Sequence, residues 1–133
     1  MLSKRGRILS LIFAIGRRMR DDEHYSMLHF HTLRYIEREK RPSMHDVAHY
    51  LRVTPPAATL LVDGLVKDKL IKRALDTRDR RAVRLSLTSR GKLFLTRGIQ
   101  KKVKKLKSVF SVLTQKEQAQ LATILEKVAG KNH

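Results

Sequence analysis

Apolar residues recur along this chain at two different periods, and the change between them divides it. Ile8, Ile12, Ile15 and Met19 repeat at intervals of four, three and four, the spacing of a helix that packs against other helices, and predict a first helix over about Ser3–Arg20. Leu9, Leu11 and Phe13 widen that surface past one seam. The helix is therefore expected to meet more than one neighbour, a second subunit among them, with an ordinary core helix of the single chain as the alternative. The acidic run Asp21, Asp22, Glu23 interrupts the pattern. Phe30, Leu33 and Ile36 then mark the buried side of a second helix over about Met27–Lys40, ended at Arg41-Pro42 because the residue before a proline is pushed out of the helical region. Ser43 and Asp46 form an S-x-x-D start ahead of Met44, Val47, Ala48 and Leu51, a capping box opening a short third helix.

A tight connection, Arg52-Val53-Thr54, leads into the next element. Thr54 can accept a bond from an orphan backbone N–H, and Pro55 has no N–H to satisfy at the first helical position. Ala58, Leu61, Val62 and Leu65 place one apolar stripe inward, while Pro56, Leu60, Asp63 and Lys67 face out, with Thr59 and Gly64 at the edges. After Lys69 the period shortens to two: Val83, Leu85 and Leu87 share one strand face and Arg84 and Ser86 the other, with Leu70–Leu75 as the partner strand. Between them Asp76–Arg81, DTRDRR, is too polar for a core and reads as an exposed hairpin tip. Thr88 can cap a long helix whose seam is Ile99, Val103, Leu106, Phe110 and Leu113, with Gly98 a place for that helix to bend or weaken. Thr114 and Glu117 make another capping box before a last helix lined by Leu121, Ile124, Leu125 and Val128.

Charge changes the picture most. The 133 residues carry 30 Lys and Arg against 12 Asp and Glu, a net charge of +18, which calls for a polyanionic partner. Arg78, Arg80 and Arg81 crowd the hairpin tip, an arrangement opposed by like-charge repulsion unless an anion sits opposite. From Arg90 to Lys107 there are eight basic residues and no acidic one, either a solvated run or a stretch with some lysines near DNA. Aromatic residues make up 5% of the chain and tryptophan is absent, so the stacking platforms of single-strand binders are lacking and duplex DNA is the expected partner.

The absence of cysteine rules out disulfides and thiolate metal sites. His45 and His49 are one helical turn apart, as zinc ligands can be. They lack the glutamate of an H-E-x-x-H arrangement, so no metal or other cofactor is expected. Neither a phosphate-binding glycine loop, a nucleophile elbow nor paired carboxylates occurs, and an enzyme is not expected. The first apolar run, ILSLIFAIG, is too short to span a bilayer and is followed by Arg17, Arg18 and Arg20. A cytoplasmic protein without membrane association is expected.

Two short helices joined by a tight turn, the second directed at a major groove, are the helix-turn-helix pattern. Five fragments extend it: Leu51-Arg52-Val53-Thr54, Thr59-Leu60-Leu61-Val62-Asp63-Gly64-Leu65, Leu70-Ile71-Lys72-Arg73, Asp79-Arg80-Arg81 and Leu87-Thr88-Ser89-Arg90-Gly91. In this order and with these gaps they resemble the MarR family of winged helix-turn-helix transcription regulators. The resemblance implies a mainly α fold with a two-stranded β wing, in which residues 27–95 form the winged helix-turn-helix and residues 1–22 and 96–133 a helical dimerisation region. It implies a homodimer that sets its recognition helices in successive major grooves and its wings in flanking minor grooves.

The residues expected at DNA are Thr54, Pro56, Thr59, Leu60 and Lys67 of the recognition helix, and Arg73, Arg78, Arg80 and Arg81 of the wing. Asp79 is expected to orient the wing arginines through an ion pair, with an exposed pair of little energetic value as the alternative. Lys69 stands where the family usually has a glycine, and Leu60 and Gly64 where many members carry polar or basic residues. Readout by apolar contacts and DNA shape is therefore expected, unless Leu60 is partly buried under the wing.

The functional expectation is a sequence-specific regulator, a repressor by the family's usual mechanism, on a pseudo-palindromic operator, with a small-molecule effector as a further partner known in the family. Two alternatives are a low-specificity architectural protein and an adaptor that has lost DNA binding.

Overall fold

In the computed structural model, residues 3–20, 24–79 and 81–130 are described. Six helices and one hairpin follow in order: α1 (Lys4–Arg18), α2 (Met27–Glu39), α3 (Met44–Leu51), α4 (Pro55–Lys67), β1 (Ile71–Leu75), β2 (Val83–Leu87), α5 (Ser89–Val109) and α6 (Gln115–Ala129). The chain divides into two compact units, Asp22–Gln100 and Met1–Asp21 with Lys101–His133. The acidic run at 21–23 and Arg80 of the wing lie outside the described residues. No helix among the described residues is long and apolar enough to cross a membrane.

The unit Asp22–Gln100 is built around Leu33, Ile36, Val47, Val62, Leu65, Leu70, Ile71 and Leu85, all buried. These are the inward residues of α2, α3, α4 and both strands, so the helical period and the strand period converge on one core. The strands pair antiparallel from Ile71 opposite Leu87 to Leu75 opposite Val83. Residues 42 and 43 extend this small sheet: Leu85 N–H donates to Pro42 O at 2.9 Å, and Ser43 bridges Arg84. The turn before α3 is thereby tied to the root of the wing.

Local chemistry sets the helix ends. Ser43 Oγ accepts from Asp46 N–H and Asp46 Oδ2 from Ser43 N–H, at 3.1 and 2.9 Å, the capping box expected from the sequence. Thr114 and Glu117 close the same arrangement on α6. The box on α2 uses a histidine: Ser26 N–H donates to His29 Nδ1 at 3.0 Å, and burial lowers the His29 pKa from 6.5, favouring the neutral acceptor form. Tyr25 donates to Asp68 at the end of α4. Burial first, and then Asp68, push the tyrosine pKa up to about 12. Its ring also meets Phe94 of α5 edge-on, with centroids 4.8 Å apart, so one side chain joins the entry to α2, the end of α4 and α5.

At the end of α4, Leu70 N–H donates to Leu65 O and Lys69 N–H to Val66 O, each at 2.9 Å. This is the Schellman pattern, which requires a left-handed residue just past the helix. Lys69, which stands where the family usually has a glycine, supplies it with φ 63°. Arg52 does the same after α3 with φ 56°. A side chain in this conformation costs about 1–2 kcal/mol relative to glycine, offset in part by a cation beside the carbonyl end of the helix.

Gly98 has a packing role that the sequence pattern does not show. The helix α5 runs unbroken through it. A Cβ there would lie 2.2 Å from Cε1 of the buried Phe30 ring, so the glycine permits close approach between α2 and α5. Phe30 in turn stacks on Phe94, with ring centroids 5.5 Å apart.

In the other unit, Ser3 caps α1, its Oγ accepting from Gly6 N–H at 3.1 Å. Gln118 Nε2 donates to Phe110 O and Leu113 O across the turn into α6. Much of the apolar seam is open in the single chain: Ile8, Leu11, Ile12 and Phe13 of α1, Val103 of α5 and Val128 of α6 are each more than half exposed.

The packing at Gly98 and the turn at Lys69 each give an expected outcome. Gly98→Ala destabilises the chain by about 1–3 kcal/mol in chemical denaturation, and adding Phe30→Leu restores part of the loss; an additive double variant contradicts the proposed clash. Lys69→Gly raises stability by about 0.5–1 kcal/mol, whereas a loss would mean that the lysine side chain contributes more than its backbone strain removes.

Candidate nucleic-acid interface

The recognition-helix candidate α4 begins with two prolines, and Thr54 Oγ1 accepts from Ala57 N–H at 3.4 Å. Its inner face buries Ala58, Val62 and Leu65 completely. Thr54, Pro56, Thr59, Leu60 and Lys67 all lie exposed. Leu60 is 77% exposed, which removes the alternative that it is covered by the wing. Gly64 is open as well, and a Cβ at that position would meet no neighbouring atom within 4 Å.

Asp63 is the one acidic residue of α4, and it is not free. Arg73 Nη2 of β1 donates to Asp63 Oδ1, so α4 and the first wing strand are joined by a charge-assisted bond on the outer surface. Arg73 was expected at DNA; its guanidinium is engaged within the protein, where it neutralises a carboxylate that would repel phosphate. This tie was not read from the sequence, although Asp63 and Arg73 both stand in the fragments that carry the resemblance.

The wing tip shows the same use of carboxylates. Asp76 Oδ1 accepts from Arg78 N–H at 2.9 Å, and Asp79 Oδ1 from Arg81 N–H at 3.0 Å. Each aspartate thus folds the chain over its own backbone two residues on. Asp76 N–H donates to Ala82 O and Ala82 N–H to Asp79 O, each at 3.0 Å, closing the loop. The Arg78 N–H and then Arg84 hold the Asp76 carboxyl below its usual pKa of 3.8. Asp79 had been expected to orient arginine side chains; its described contact is to the Arg81 backbone. The side chains of Arg78 and Arg81 are exposed and make no salt bridge among the described residues.

Arg84 makes a tie that sequence reasoning passed over. Its Nε donates to Asp76 Oδ2 at 3.1 Å, and its Nη1 lies 3.9 Å from Asp46 Oδ2. One guanidinium therefore spans the wing tip and the capping box of α3. Hydrogen bonds from Ser43, with a smaller contribution from Arg84, lower the Asp46 pKa from 3.8. The available signal was an arginine on the strand face that the alternating pattern leaves outside the core.

Two further clusters sit on the outer side of α2 and α3. Tyr35 and Tyr50 stack with centroids 4.2 Å apart, and Arg38 lies over both rings. His45 and His49 stack one turn apart at 6.5 Å. No group of three or more metal-binding side chains occurs among the described residues.

The arrangement presents a mostly uncharged helix face and an arginine-bearing hairpin, with Asp63, Asp76 and Asp79 turned onto a backbone amide or a guanidinium. Residues 25–83 match the model of the MarR family. The chain is 34% identical over 84 residues to the HTH-type transcriptional repressor MdtR of Bacillus subtilis, covering 63% of this chain and 54% of that protein. The chain thus spans about half the length of this curated relative. The crystal structure of YusO from Bacillus subtilis is similar with a TM-score of 0.76 and 26% identity, covering 92% of this chain and 89% of that one. FabT of Streptococcus pneumoniae, solved in complex with DNA, has a TM-score of 0.73 at 21% identity over 92% of this chain and 93% of its own.

If Arg84 braces the wing, Arg84→Ala speeds amide hydrogen exchange at Arg78, Arg81 and Ala82 and leaves the α4 amides unchanged. Equal protection of the tip in both proteins removes that role.

Proposed function

Because residues 25–83 are a MarR-family winged helix-turn-helix, we propose that the chain is a DNA-binding transcription regulator that acts as a homodimer on a pseudo-palindromic operator, as a repressor. The observation that carries this reading is the joint presentation of the outer face of α4 and the wing on one unit. Both are linked by Asp63 and Arg73, and beside them Arg84 pairs with Asp76. An interface for phosphate needs that arrangement, since one uncompensated carboxylate in the contact repels the backbone it approaches.

Thr54, Pro56, Thr59, Leu60 and Lys67 would face a major groove, with Arg78, Arg80 and Arg81 reaching the adjacent minor groove. Arg73 acts through its neighbour, holding Asp63 and the wing strand rather than binding phosphate directly. A repressor name on the curated relative and a DNA complex of the FabT fold support the assignment. Such a regulator works in the cytoplasm.

Dimerisation is supported by the open apolar seams of the unit Met1–Asp21 with Lys101–His133. Exposed apolar residues such as Ile12, Phe13, Val103, Ile124 and Val128 make a surface that a soluble protein ordinarily covers. On this reading residues 1–22 and 96–133 form the dimerisation region and 27–95 the DNA-binding domain.

Selection from a random duplex library at about 150 mM salt, where non-specific attraction is already weakened, recovers an inverted repeat with half-sites about one helical turn apart. The chain binds it about 10³-fold or more above random DNA. Arg81→Ala weakens binding to both and lowers the salt slope by about one. Recovery of composition or bendability preferences alone would replace this reading with a low-specificity architectural one, and recovery of no sequence with an adaptor.

A further inference from the structure

Resting on the DNA-binding reading above, we propose that α4 reads its half-site by apolar contact with thymine methyl groups, with Leu60 as the specificity-determining side chain. The bases selected in the major groove would be A·T pairs, recognised by the C5 methyl rather than by hydrogen bonds.

The helix lacks the donors that a recognition helix ordinarily offers at its start. Its first two residues, Pro55 and Pro56, have no backbone N–H. The third, Ala57, gives its N–H to Thr54 Oγ1, and Ala58 N–H is already bonded to Thr54 O. The two prolines thus have no N–H to give a phosphate or a base edge, and those of Ala57 and Ala58 are already bonded. The Thr54 oxygen is the acceptor of that cap, which leaves its O–H as the one donor at the helix start.

The outward side chains show the same chemical restriction. Pro56 and Leu60 are one turn apart on the exposed face, with Thr59 beside them. Asp63, which could accept from cytosine N4, is held by Arg73. Lys67 comes only at the last residue of the helix. What the exposed side chains of the first two turns can offer a base edge is therefore the two proline rings, the Ala57 methyl, the Thr59 methyl and hydroxyl, and the Leu60 isobutyl group. Of the four base-pair edges in the major groove, only those containing thymine carry an apolar group to meet them.

Leu60 is also not a leucine left over at the surface. It is 77% exposed on a helix whose other leucines are buried or half-buried. Arg52 in the turn before α4 and Lys67 at its end bracket it with positive charge. A charged frame around an apolar centre matches a groove with phosphate walls and a methyl-bearing floor, and on a chain of net charge +18 it favours duplex DNA over a protein partner.

The test uses the full chain and the duplex recovered by library selection, made with thymine or with deoxyuridine at the half-site positions; the exchange removes the methyl and keeps every hydrogen-bonding group. Wild type is expected to lose about 4-fold in affinity for each contacted methyl removed. Leu60→Ala, a change at an exposed position, should bind the two duplexes alike. Uridine placed outside the half-sites should have no effect.

Equal wild-type affinity for both duplexes overturns methyl reading while leaving DNA binding in place. An equal methyl effect in wild type and Leu60→Ala assigns the discrimination to DNA shape and overturns the role of Leu60. Failure to bind any duplex overturns the underlying DNA-binding reading instead.

Discussion

The junction at Lys69, Leu70 and Thr88 is the constraint on which the unit Asp22–Gln100 depends. Lys69 turns left-handed and ends α4, and two residues later β1 begins. Thr88 Oγ1 donates to Lys69 O at 2.6 Å, Thr88 N–H donates to Leu70 O at 3.1 Å, and the same hydroxyl oxygen accepts from Gly91 N–H at 2.9 Å. Four elements thus meet through three residues: the end of α4, both strand roots of the wing and the start of α5. Gly91 is required by the closeness of this crossing, since a Cβ would fall 2.0 Å from Leu70 O. With these bonds made, the direction of α4 relative to the hairpin is set by backbone geometry, and the Asp63–Arg73 and Arg84–Asp76 contacts have only to hold the outer surface.

Electrostatics explains why so basic a chain folds its acids as it does. In a chain of net charge +18, exposed carboxylates could have been spread to relieve repulsion. Around α4 and the wing they are instead committed to short-range structure: Asp46 to a cap, Asp76 to a turn and to Arg84, Asp79 to a turn, and Asp63 to Arg73. The individual surface pairs contribute little to stability. Their larger effect is on the potential of this face, where the guanidinium groups of Arg78 and Arg81 stand exposed at the tip.

Legibility followed the range of the interaction. The capping boxes at Ser43 and Thr114, the Thr54 cap, the helix that starts at Met27 and the hairpin alternation are set within a few residues, and the sequence pattern carries them. The MarR resemblance of the winged helix-turn-helix rests on such local fragments. The close approach at Gly98 was not legible because it involves the Phe30 ring from another helix. Arg84 and the tie from Arg73 to Asp63 were missed because their partners are decided by how α3, α4 and the hairpin pack. Lys69 shows that the turn needs a left-handed residue more than it needs glycine. The apolar seams of α1, α5 and α6 were visible as patterns.

Hydroxyl-radical footprinting of the chain on its selected duplex tests the central claim most directly, because it reads which grooves are occupied and with what symmetry. The account predicts protections related by a two-fold axis, with two sites about one helical turn apart and further minor-groove protection on the outer flanks. A single unsymmetric footprint, or uniform protection along the duplex, would contradict it.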